Sequence, residues 1–133
     1  MKLSRKSEYA CLALIDLART YDDGLLTIGE LAEQNNIPKK YLEQILLILK
    51  GAGYVRSVRG VGGGYKLAQV PGEISIAEVI RLIDGPLAPI GSVSEYFYEY
   101  TPTEQNDKLL ALFKDIRDYT ADLLEKTTFK DLI

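Results

Sequence analysis

VRSVRGVGGGYKLA, residues 55–68, is the stretch on which the fold turns. Gly60, Gly62, Gly63 and Gly64 crowd its middle, and Arg56, Arg59 and Lys66 frame them. A glycine-rich loop among cations suggests phosphate binding, but its spacing excludes the nucleotide loops. A phosphate-cradling G-x-x-x-x-G-K-[ST] counted from Gly60 requires glycine at position 65, which is Tyr65. The dinucleotide pattern G-x-G-x-x-G fails at the same residue. Nor does a helix follow, because Tyr65-Lys66-Leu67-Ala68 runs on towards Pro71-Gly72. What remains is a β-hairpin. Tyr54 to Val58 has the β-branched and aromatic content of a strand, the glycines supply a tight reversal, and Tyr65 to Leu67 returns. Such a tip can approach a polyanion closely. The plainer alternative is a solvated hairpin whose charges only confer solubility, and the rest of the chain must choose between them.

Composition narrows the function. A chain of 133 residues is long enough for one domain with its own core, and 47% hydrophobic with 26% charged residues is ordinary for a soluble globular protein. No apolar run approaches a membrane span and no signal-peptide pattern opens the chain, so a cytoplasmic protein without membrane contact is expected. One cysteine excludes an internal disulfide, and the absence of histidine removes the commonest general base and zinc ligand. Without a compact set of carboxylates, lysines or tyrosines in their place, no catalytic residue is expected and the chain does not read as an enzyme. The net charge of −3 is unevenly spread. Residues 1–72 carry ten Lys/Arg against seven Asp/Glu, whereas residues 73–133 carry six against twelve. A basic head on an acidic remainder is the asymmetry of a DNA reader joined to an assembly element.

The element order agrees. Leu3, Ser7, Ala10, Cys11, Leu14, Leu17, Ala18 and Tyr21 recur at helical steps, with Leu12 and Ile15 off the stripe, so this helix needs cover on two sides. Thr27-Ile28-Gly29-Glu30 is a capping box opening a short helix through about Gln34, and Asn35-Asn36 stops it. Pro38 suits the first turn of a third helix to Lys50, which Gly51 and Gly53 end before the hairpin. Helix, short helix, turn, helix and two-stranded wing make a winged helix-turn-helix, a mainly α fold with a small β-hairpin. On the third helix Leu42, Ile45, Leu46 and Leu49 form a core stripe. Lys40, Glu43, Gln44 and Leu47 repeat that spacing on the opposite side. They offer groups able to read adenine, cytosine and a thymine methyl, with Lys39 and Lys50 set for phosphates. A solvated helix face is the alternative, and the adjoining wing favours DNA.

The opening MKLSRKSEYA, the tract YLEQILLILKGAGYVRSVRGVGGGYKLA and the later ISIAEVIRLIDGP resemble the Rrf-two family of bacterial transcription regulators. The likeness runs from Met1 to about Pro86 and resumes weakly at Thr127-Thr128. It implies a homodimer whose third helix enters the major groove of a pseudo-palindromic double-stranded operator while a wing arginine enters the minor groove. The base-reading pair falls on Glu43 and Gln44, and the wing arginine on Arg59. Leu47 stands where known members carry a small polar residue and Lys40 at a variable contact position, so the preferred operator is expected to be this chain's own. The DNA-binding set is therefore Lys39, Lys40, Glu43, Gln44, Leu47, Arg56, Arg59, Gly62 and Gly63, and the expected activity is transcriptional repression. A protein-interaction module that kept the fold but lost specific DNA binding is the alternative.

The expected organisation is a DNA-binding domain over residues 1–85 and, over residues 86–133, an aromatic loop followed by a dimerisation helix. Ser75-Ile76-Ala77-Glu78 is a second capping box, starting a helix with Ile76, Val79, Ile80 and Ile83 inward. Thr103 is expected to cap the long final helix, whose stripe includes Leu109, Leu112, Phe113, Ile116 and Leu123, the candidate dimerisation residues, as well as Tyr119 and Leu124. Between these helices, cluster-binding members of the family supply three closely spaced cysteines to an iron–sulfur centre. This chain has none there, and Cys11, on the buried stripe of the first helix, reads as a small apolar residue. No metal or other cofactor is expected. Tyr96, Phe97, Tyr98 and Tyr100 fill the segment instead, either covering the dimer helix or forming a surface for an effector ligand or partner protein.

Overall fold

The computed structural model describes all 133 residues. Five α-helices and one antiparallel hairpin follow in the order α1 (Arg5–Arg19), α2 (Ile28–Asn35), α3 (Lys39–Gly51), β1 (Val55–Val58), β2 (Gly64–Leu67), α4 (Ile76–Asp84) and α5 (Asp107–Lys126). Short 3₁₀ turns cover Pro71–Glu73, Gly91–Val93, Pro102–Gln105 and Phe129–Leu132. Both capping boxes form as their sequences dictate, with Thr27 and Glu30 closing the start of α2 and Ser75 and Glu78 that of α4. Asn36 ends α2 in the left-handed conformation (φ 53°), and the amide of the buried Ile37 donates to the Ala32 carbonyl at 2.9 Å. That single reversal sets α3 against α2. Pro38 lies one residue outside α3 rather than in its first turn, its carbonyl accepting from the Leu42 amide at 3.0 Å.

Leu14, Leu17, Leu31, Leu42, Ile45, Leu46, Leu49, Leu67, Ile74 and Ile80 fill one core, all essentially without exposure. Helix α1 starts later than its periodicity suggests, at Arg5, because Ser4 takes the cap and its hydroxyl accepts from the Ser7 amide at 3.0 Å. Leu3 thus lies outside the helix and is exposed, while Leu12 and Ile15 are half-buried. Asp16 is buried, where the Asn35 amide donates to it at 2.6 Å and Arg19 approaches at 3.4 Å. A buried carboxylate needs such donors, and here they tie the end of α2 to α1.

The last residues return to this core. Phe129 is fully buried, its amide donates to the Ile74 carbonyl at 3.1 Å, and Ile76 donates to Thr127 at 2.9 Å. An isolated bridge pairs Ser75 with Thr128. Nothing in the local pattern of Thr127 to Ile133 announced this, since the partner lies some fifty residues away in sequence.

At the other end of α4, Asp84 accepts from the Ser4 amide at 2.9 Å and from the Ser4 hydroxyl. Partial burial pushes its carboxyl up, but these bonds outweigh it and hold the carboxyl below its ordinary value. A folded-state value below the unfolded one means the contact stabilises the fold above about pH 4 and loses that effect as the pH falls through the folded value. The effect is small, because the group is only partly buried. Urea unfolding between pH 6 and pH 3 is expected to show a slightly steeper acid loss of stability in the native protein than in Asp84→Asn.

Candidate nucleic-acid interface

Helix α3 has two opposed faces. Leu42, Ile45, Leu46 and Leu49 are fully buried, while Lys39, Lys40, Glu43, Gln44 and Leu47 are all exposed. Leu47 is 70% exposed, which is unusual for a leucine in a helix of an otherwise well-packed head. Tyr41, near the start of the same helix, packs edge-on against Tyr9 of α1, with ring centres 5.7 Å apart, and helps fix the rotation of α3 about its axis.

The wing is attached to this helix directly. Tyr54 donates from its amide to the Leu49 carbonyl at 2.9 Å, and the Lys50 ammonium donates to the Ser57 hydroxyl at 2.9 Å. The strands pair Val55 with Leu67, Arg56 with Lys66, Ser57 with Tyr65 and Val58 with Gly64. Tyr65 exchanges both backbone hydrogen bonds with Leu26, at 2.7 and 3.0 Å, so the hairpin is also anchored just ahead of α2. The start of α2, the end of α3 and the wing thereby surround one notch of about 400 Å³, whose walls include Thr27, Lys50, Ser57 and Arg59.

The glycines act first inside the wing. Gly62 turns the tip at φ +77°, a conformation that side chains resist. A β-carbon on Gly63 would lie 2.2 Å from the Val58 carbonyl oxygen, so position 63 is closed to any side chain by the hairpin's own backbone. Gly63 is half-buried, whereas Arg56, Arg59 and Gly62 are exposed. Val61, absent from the sequence-derived set, is the fully exposed tip itself. Lys66 behaves differently from Arg56 and Arg59: its ammonium lies 5.8 Å from the Tyr21 ring centre and is drawn toward α1. No local pattern signals that contact, because Tyr21 is forty-five residues away.

Charge on this surface is unspent. The chain has four ion pairs, namely Arg5–Glu8, Arg19–Asp16, Arg81–Glu125 and Arg117–Asp118. None involves Lys39, Lys40, Lys50, Arg56 or Arg59. Five cations without carboxylate partners around a helix and a hairpin form a surface that attracts a polyanion.

The remaining candidates lie elsewhere. Helix α5 begins at Asp107, capped by Asn106 whose side-chain oxygen accepts from the Leu109 amide at 3.0 Å; Thr103 instead sits inside the preceding 3₁₀ turn. Pro102 explains the shift, since it starts that turn and delays the α-helix by one more. Along α5 the apolar positions divide. Phe113, Ile116 and Leu124 are half-buried, while Leu109, Leu112, Tyr119 and Leu123 are exposed, Leu112 and Leu123 each at 54%. Arg117, off the apolar stripe, donates to the Val93 carbonyl at 3.0 Å. Tyr96, Phe97, Tyr98 and Tyr100 are all exposed; the Arg81 guanidinium stacks 4.8 Å from the Tyr96 ring centre, and the Tyr98 hydroxyl donates to Glu104 at 2.8 Å. Cys11 is half-buried, not fully so, and its thiol is pushed up to about 11 by burial and by the charge of Asp84. No helix is long and apolar enough to cross a membrane.

A helix-turn-helix whose second helix exposes lysine, glutamate and glutamine side chains, braced by a cationic wing, defines a winged-helix protein of the DNA-binding class. The Rrf2 (Rrf-two) family model, described as iron-dependent transcriptional regulator, matches residues 3–133. The chain belongs to that family. It is 34% identical over 132 residues to the helix-turn-helix transcriptional regulator CymR of Bacillus subtilis, covering 99% of this chain and 89% of that one. The solved structure of CymR, the global cysteine regulator of B. subtilis, superposes with a TM-score of 0.81 at 33% identity, covering 99% and 95% of the two chains. That of T. potens IscR gives 0.77 at 28% identity, covering 99% and 85%. The chain is accordingly a helix-turn-helix transcriptional regulator that binds DNA, and not an enzyme.

Proposed function

We propose that the chain works as a homodimeric, sequence-specific repressor of a pseudo-palindromic operator and that it does so without an iron–sulfur cluster. The observation that carries the reading is the exposed, unpaired set of Lys39, Lys40, Glu43, Gln44 and Leu47 on α3, joined through Lys50 and Ser57 to a wing bearing Arg56 and Arg59. Glu43 and Gln44 are assigned to base edges, Lys39 to phosphates and Arg59 to a narrow minor groove. Residues 1–85 form the reading head and residues 86–133 the assembly element. A dimer seated on its operator excludes other proteins from the same duplex, which is why the direction is read as repression.

Dimerisation is supported by the spacing of α5. Leu109, Leu112, Ile116, Tyr119 and Leu123 follow one another at steps of three and four, the repeat of a coiled-coil seam, and four of the five are exposed. The donor set argues against an iron centre. The chain has one cysteine and no histidine, its thiol is held well above the range in which thiolate forms at neutral pH, and no group of three or more His, Cys, Asp or Glu side chains converges. Tyr96, Phe97, Tyr98 and Tyr100 are the proposed surface through which an effector or partner protein adjusts DNA affinity.

The test begins with selection of genomic fragments by the purified protein, followed by titration of the selected duplex. Native protein is expected to lose affinity linearly in log–log salt, with Lys39→Ala lowering the slope by about two phosphates' worth, one per subunit (~1.8). Glu43→Ala should relax discrimination at one base pair per half-site by roughly 1–3 kcal/mol. Arg59→Ala should cost most where the flanks are A·T-rich. Little binding at any salt would mark a docking module that has lost its DNA. Equal losses for Glu43→Ala on selected and random duplexes would mean that the wrong face of α3 has been assigned.

A further inference from the structure

Leu47 is the one exposed apolar side chain of α3, open to solvent over 70% of its surface. Its neighbours three and four residues away are Glu43, Gln44, Lys50 and Gly51, all exposed and none with an apolar side chain. It belongs neither to the core nor to the partly buried residues packed against that core. A β-carbon on Gly51 would meet no atom within 4 Å, so this end of the face is open. Lys50, a turn further on, is tied at 2.9 Å to Ser57 of the wing. Leu47 therefore stands on the outward stripe between Gln44 and the junction of helix and wing. The fold leaves it wet.

What a leucine can gain at such a place lies in the duplex. In the major groove adenine, guanine and cytosine offer hydrogen-bonding groups, and thymine alone adds a methyl group. An apolar side chain pressed onto a polar base edge strips its water without replacing the hydrogen bonds, which costs free energy. Against the methyl it buries apolar surface on both sides of the contact. We propose that Leu47 is a specificity residue that selects one thymine in each half-site through the C5-methyl group of that base. The inference rests on the reading of α3 as the helix that enters the major groove. Gln44 lies three residues earlier, about 4.5 Å along the helix axis, and one base-pair step is ~3.4 Å. The selected thymine accordingly lies within about two base pairs of the base that Gln44 reads.

The experiment uses the full-length chain and the duplex it selects from genomic fragments. Each thymine of the half-sites is replaced in turn, symmetrically, by deoxyuridine, which removes the methyl and keeps every hydrogen-bonding group. Fluorescence anisotropy then reads the affinity. One such position is expected to weaken binding about 4-fold per half-site, or ~15-fold for the symmetric pair, the worth of one buried methyl in each. Leu47→Ala should bind the thymine duplex at least as weakly as native protein binds the uracil one, and should distinguish the two by no more than ~2-fold. Leu47→Met, which keeps an apolar tip, should retain the discrimination. The thermal midpoint of Leu47→Ala should match that of native protein, which excludes a folding cause. If no thymine is sensitive to loss of its methyl, or if every sensitive thymine stays sensitive in Leu47→Ala, the proposal falls and the regulator stands. A protein that selects no duplex at all overturns both.

Discussion

Replacing Leu112 and Leu123 together by glutamate is expected to turn a dimer into a folded monomer and to weaken binding to the selected duplex by at least ~100-fold. Both side chains are 54% exposed in the single chain, so the substitution removes little from the intrachain core and helix α5 should survive it. In a self-complementary interface each substitution appears twice, so four carboxylates would enter one apolar seam. Burying unpaired charge there is prohibitive. The affinity loss follows from tethering: with two heads joined, the second half-site is met at an effective concentration worth about 10²–10⁴ in affinity, and a monomer forfeits it. Sedimentation velocity reads the first effect and fluorescence anisotropy on the duplex the second, with far-UV circular dichroism as the check on folding. A double variant that still sediments as a dimer would place the assembly surface elsewhere on the chain.

The second large effect concerns stability. Phe129→Ala is expected to lower the free energy of unfolding by about 3–5 kcal/mol, a large part of the ~5–15 kcal/mol that holds a domain of this size together. The ring is fully buried, yet it belongs to the last turn of the chain, and the backbone on either side of it is bonded to Ile74 and Ile76. Removing it opens a cavity in the one core that also holds Leu14, Leu42 and Ile80. Phe129→Leu, which keeps much of the volume, should cost less than half as much. Urea unfolding by fluorescence and by circular dichroism measures both. A Phe129→Ala loss below about 1 kcal/mol would mean that the tail frays without consequence for the head. The same packing makes truncation before Phe129 a poor probe of dimerisation, since it would damage the core and the seam together.

The contrast between these two residues shows what the chain order settles and what it leaves to packing. Capping boxes at Thr27 and Ser75, the left-handed stop at Asn36, the leucine stripe of α3 and the glycine tip of the wing are local signals. Each satisfies its own backbone hydrogen bonds or buries its own face within a few residues, so the winged helix-turn-helix and the division of α3 into a buried and an exposed face are legible in the sequence alone. Helix α5 is legible as an element, but its cap is Asn106 and not Thr103, because two residues could cap and Pro102 committed the first of them to a 3₁₀ turn. Periodicity likewise marked α5 as amphipathic, but only packing decided that Phe113 and Leu124 lie partly against their own chain while Leu112 and Leu123 stay open. Burial of Phe129, the drawing of Lys66 toward Tyr21 and the bond from Ser4 to Asp84 join residues forty-five to eighty positions apart. No pattern within a single element encodes such pairs. They appear only once the helices have packed and the distance along the chain no longer measures distance in space.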